Sequence, residues 1–74
     1  ERALELRQRG EVLPLAQVIG QLQRQQPGRV LEVELERKHG VWVYEIELLA
    51  EDGAVWEFKL DAASGELLKQ EREN

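Results

Sequence analysis

The sequence has no cysteine and no methionine, a single histidine (His39), a single serine (Ser64) and no threonine. Without thiols no disulfide staples the chain and no thiolate binds a metal. That absence fits an oxidising compartment as well as a reducing one. One serine and one histidine cannot supply a Gly-x-Ser-x-Gly elbow with its partners, nor a second nitrogen ligand for zinc. His39, between Lys38 and Gly40, reads as a solvated turn residue, and Ser64 as a turn hydroxyl. No glycine-rich phosphate loop is present. Basic residues are outnumbered, 10 against 15 acidic ones, for a net charge of -5. This weighs against nucleic acid, whose phosphates call for a basic footprint, and against docking on anionic lipid. No apolar run approaches the roughly 18 residues of a membrane span, so this segment is not expected to insert in a bilayer.

What is present is a change of rhythm. Residues 1–9 suggest a short helix with a thin apolar edge of Ala3, Leu4 and Leu6, stopped by Gly10. Residues 14–26 carry the main helical signal. Pro14 can spare its N–H at a first turn, and Leu15, Val18, Ile19 and Leu22 recur at i, i+3, i+4 and i+7. Gly20 inside that helix suggests close approach to another element. Pro27-Gly28 ends it.

Beyond that point the period becomes 2. Leu31, Val33 and Leu35 alternate with Glu32, Glu34 and Glu36. Trp42, Tyr44, Ile46 and Leu48 share one face of a second strand, and Trp56, Phe58 and Leu60 one face of a third. A short fourth strand is expected at Glu66–Lys69. Such alternation describes half-buried antiparallel strands with one dry face.

Turn chemistry sets the register. His39-Gly40 suits a two-residue primed turn, which needs positive φ. It places Leu35 opposite Tyr44 and Val33 opposite Ile46. A three-residue loop at Glu51-Asp52-Gly53 places Leu48 opposite Trp56, Ile46 opposite Phe58 and Tyr44 opposite Leu60. Dry residues meet dry residues throughout. Asp61 and Gly65 suit the last corner.

The fold expected is therefore α+β: an N-terminal helix or helices packed on one face of a three- to four-stranded antiparallel β-meander. Residues 1–74 form one domain with its core in 10–68 and a frayed tail at 70–74. The helix stripe and the named dry-face residues, Leu31 and both tryptophans included, make up the expected core.

Residues 10–68 resemble a PepSY domain. The resemblance rests on the Pro27-Gly28-Arg29-Val30 helix exit, the Val33-Glu34-Leu35-Glu36 strand, the Val43–Leu48 strand leading to a glycine turn, and the Asp61–Glu66 corner. His39 and Ser64 depart from the residues commoner at their positions, Asp or Asn and Thr. The resemblance implies a non-catalytic module without cofactor, as in propeptides of thermolysin-like metallopeptidases and in small stand-alone exported bacterial proteins. It implies a periplasmic or envelope location, with a signal peptide removed ahead of Glu1. The partner it implies is a peptidase or a sensor ectodomain.

On the wet side of the sheet the register opposes Glu34 to Glu45 and Glu32 to Glu47, with Lys59 beside Glu45. Directly opposed like charges are unfavourable. The patch of Glu32, Glu34, Glu36, Glu45, Glu47 and Glu57, with Val43 among the apolar interruptions, is the candidate partner-binding surface, and a basic protein surface is the partner it suits. Two alternatives are a self-associating structural module and a weak cation-binding domain. No catalytic residue or metal ligand is assigned.

Overall fold

The computed structural model describes residues 2–74, with side chains for all of these except Arg2, Arg7 and Gln8. Two helices, α1 (Arg2–Gln8) and α2 (Leu15–Gln25), precede four strands, β1 (Gly28–Lys38), β2 (Val41–Ala50), β3 (Val55–Asp61) and β4 (Leu67–Arg72). The strands form one antiparallel sheet in the order β1-β2-β3-β4. This is the expected α+β meander, and β1 and β4 are its edges.

The turns fix the register as anticipated. His39 and Gly40 take φ of 51° and 80°, so Lys38 pairs with Val41, Leu35 with Tyr44 and Val33 with Ile46. Across β2 and β3, Tyr44, Ile46 and Leu48 face Leu60, Phe58 and Trp56. At the last corner the Asp61 carboxylate accepts from the N–H groups of Ala63 and Ser64, and Gly65 N–H closes the turn on Asp61 O at 2.7 Å.

The helices lie on the dry face. Val18 and Leu22 of α2 and Leu6 of α1 join Tyr44, Ile46, Leu48, Phe58 and Leu60 in one buried cluster, with Leu15, Ile19, Trp42 and Trp56 packed around it. Tyr44 places its ring in that cluster and its hydroxyl at the helix-sheet junction, donating to Leu13 O at 3.0 Å. Burying a tyrosine calls for such a partner. Tyr44→Phe would leave Leu13 O without this donor, and the expected loss is about 1 kcal/mol in chemical denaturation.

Four expectations are corrected. Leu31 is not a core residue: it is 42% exposed because β1 bulges there, with Val30 opposite Leu48 and Glu32 opposite Glu47. An extra residue in one strand shifts the alternation by one, so Val30 takes the dry position instead. The tail 70–74 does not fray. β4 runs to Arg72, Glu73 N–H donates to Val55 O at 2.8 Å, and Asn74 Oδ1 accepts from Val55 N–H at 2.8 Å. Gly20 makes no close approach, since nothing lies within 4 Å of the position its Cβ would take. Gly20→Ala is therefore expected to stabilise the domain by about 0.5–1 kcal/mol, read as a higher denaturation midpoint. Pro14 is the N-cap of α2 and stands just outside the helix.

Candidate interaction face

Because side chains alternate along each strand, the face without helices collects one residue in two from all four strands. The register lines these up in rows that cross the sheet. One row is Glu32, Glu47, Glu57 and Glu71, each directly opposite the next. The row beside it is Glu34, Glu45, Lys59 and Lys69. The expected oppositions of Glu32 to Glu47 and Glu34 to Glu45 are thus present, and Lys59 stands opposite Glu45. The acidic row also extends into β4, through Glu71.

Lys38 is the cation that relieves Glu45 most closely. Its Nζ lies 3.0 Å from Glu45 Oε2 and 3.3 Å from Glu36 Oε2. Glu45 is held below the ordinary carboxylate range, by hydrogen bonding with Glu36 first and with Lys38 second. Glu36 is pushed up, chiefly by the same contact with Glu45, and Lys38 is held protonated by Glu45 before its other neighbours. Carboxylate oxygens of Glu34, Glu36 and Glu45 gather within 4.8 Å of one another. The Lys38 ammonium already serves two of these three carboxylates, so the chain supplies its own cation there.

In the all-glutamate row the ion pair given by the described residues is at the β4 end, where Lys69 Nζ lies 3.8 Å from Glu71 Oε2. Glu32, Glu34, Glu45, Glu47 and Glu57 line a small cleft of about 60 Å³. Nearby, Glu73 is pushed up by hydrogen bonding with Glu47 first, then by loss of solvent and by the charges of Glu47 and Glu71. A carboxyl that holds its proton more tightly folded than unfolded favours the fold below its unfolded pKa. That contribution is lost as pH rises through the folded value. Glu57, between Glu47 and Glu71, has like charge on both sides. Glu57→Gln is expected to raise stability at neutral pH by about 0.2–1 kcal/mol, a gain that shrinks in high salt. Urea titrations at two ionic strengths would show both.

Towards the β1–β2 turn the face becomes apolar. Lys38, His39, Val41, Val43, Lys59, Asp61 and Leu68 line a shallow groove of about 380 Å³. Val41 and Leu68 are 43% and 50% exposed, whereas Val43 is only 5% exposed. Val43 is thus the floor of the groove, with its neighbours forming the rim. His39 is exposed at its turn, and Ser64 Oγ accepts from Glu66 N–H at 3.2 Å, a turn role.

The sheet and its helices define a small α+β domain with one open, charged face. The family model described as "Peptidase propeptide and YPEB domain" (PepSY) matches residues 12–71, and the chain belongs to that family. It is a family of propeptide and regulatory domains, and its members are generally extracytoplasmic. No curated protein and no solved structure gives a match. Among the described residues no helix is long and apolar enough to cross a membrane.

Two parts of this face were not legible in the sequence: the β4 column, Lys69 and Glu71, and the role of Lys38. The hairpin register contained the second, since Lys38 lies on the same face of β1 as Glu36 and Glu34 and ends that file of carboxylates.

Proposed function

We propose that this protein is a non-catalytic regulatory module that acts outside the cytoplasm, binding a peptidase or a sensor ectodomain through the helix-free face of its sheet. The supporting observation is the row Glu32–Glu47–Glu57–Glu71, in which like charges stand directly opposite one another across all four strands. Such a row works against the isolated fold. A partner bearing lysine or arginine removes that repulsion on binding, so the row favours the complex over the free domain. Val41 and Leu68, towards the β1–β2 turn on the same face, offer apolar contact area, and the net charge of -5 favours approach of a basic surface. Residues Glu32, Glu34, Glu36, Glu45, Glu47 and Glu57, with Val43 beneath the groove, form the proposed contact set.

Affinity capture from an envelope extract of the source organism tests this reading. The native chain is expected to retain a protease or a sensor ectodomain at low salt, and a Glu47→Gln/Glu57→Gln variant to lose it. Recovery of cytosolic proteins alone, or equal recovery by the variant, would overturn it.

A further inference from the structure

The register of β4 against β3 leaves the outer edge of the sheet with an unmet charge pattern. Lys69 stands opposite Lys59 and Glu71 opposite Glu57, so each has a like charge on its inner side. Their pairing with one another is loose: Lys69 Nζ lies 3.8 Å from Glu71 Oε2, with both side chains 54% exposed. A pair of that kind contributes little and is readily exchanged. The strand that would satisfy this edge has an acid opposite Lys69 and a base opposite Glu71. Lys69-Gln70-Glu71, laid antiparallel to itself, is such a strand.

The backbone agrees. Glu73 N–H donates to Val55 O. Hydrogen-bonded and non-bonded positions alternate along an antiparallel strand, so residues 69, 71 and 73 turn their polar backbone groups towards β3. Gln70 and Arg72 turn theirs outward. Two copies related by a two-fold axis through Gln70 would exchange N–H and C=O at that residue, the one arrangement in which outward groups face outward groups and Lys69 faces the other copy's Glu71.

We propose that β4 pairs antiparallel with β4 of a second copy of this chain, centred on Gln70, to give a continuous eight-stranded sheet. Lysine on an edge strand ordinarily discourages pairing. Here the lysine is matched, because the two-fold brings it to a glutamate twice. The contact runs along the edge of the sheet, although Lys69 and Glu71 also end the two charged rows of the partner face described above.

Charge exchange tests it, by sedimentation of the 74-residue chain at low salt. The native protein is expected to show a concentration-dependent monomer–dimer equilibrium. Lys69→Glu and Glu71→Lys each set like charges opposite one another twice, and each is expected to weaken the dimer by about tenfold or more. The double variant Lys69→Glu/Glu71→Lys restores the match and should dimerise like the native chain. A mixture of the two single variants should form a heterodimer that neither forms alone. Thermal melts establish that every variant is folded. A native chain that stays monomeric at millimolar concentration, single variants that dimerise normally, or a mixture that fails to associate would each overturn the proposal.

Discussion

Phe58→Ala is expected to remove about 3–5 kcal/mol of stability, the cost of emptying a large aromatic site in a packed core. Phe58 is 2% exposed, stands opposite Ile46 at the centre of the sheet and stacks on Trp56 with ring centroids 6.4 Å apart. Domains of this size have small cores and sit low in the usual range of about 5–15 kcal/mol. The variant should therefore populate the unfolded state without denaturant, with Trp42 and Trp56 fluorescence shifted towards that of the denatured chain. Phe58→Leu keeps most of the volume and should cost less than Phe58→Ala, about 1.5 kcal/mol. A Phe58→Ala protein with an unchanged urea midpoint would mean that the helices do not cover this face.

Gly28→Ala is expected to destabilise by about 1–3 kcal/mol, although it adds one methyl group to a strand. The added Cβ would collide with the carbonyl oxygen of Leu49 and sit 2.6 Å from Leu48 Cδ2. The first obstacle is backbone, so no side-chain rotation removes it. Gly28 O also accepts from Gln23 Nε2 at 3.1 Å, which ties the end of α2 to the start of β1. The collision thus acts where helix and sheet join. Gly20→Ala makes the informative contrast, because the same chemical change there meets open space and has the opposite sign. For a domain this small, 1 kcal/mol corresponds to about 4–8 °C in melting temperature, so paired melts would resolve the two. Shifts in the same direction would mean that Gly28 does not lie against β2.

How far the sequence discloses this structure depends on how strongly each segment is patterned. Strands β1 to β3 alternate, and their turns carry the residues that positive φ demands, so register and core face follow together. The bulge at Leu31 left no such trace, because leucine continues the alternation of Val33 and Leu35 while the backbone interrupts it. β4 is exposed along its whole length, so Gln70, Glu71 and Arg72 show no dry side to mark a strand. Its extent is set by backbone bonding to β3 and by Asn74, which also donates to Gly53 O at 3.3 Å. Ala50, Ala54 and Ala62 are buried, yet small residues have too little apolar area to stand out in a periodicity. Leu6 is 1% exposed at the centre of a helix too short to show a stripe. The candidate face followed the same division. Its carboxylates on β1, β2 and β3 were legible through the hairpins, and its β4 column required the coordinates.

The bulge at Leu31 bears on solubility. Its unpaired extra residue twists β1 and breaks the even comb of hydrogen-bonding groups that another chain would need to zip onto that border. Glu32, Glu34 and Glu36 follow it along the same border. Runaway fibre growth requires two sticky borders per molecule, one to receive and one to offer. With one of them blunted, the expected stacking of these sheets through β4 ends after a single addition.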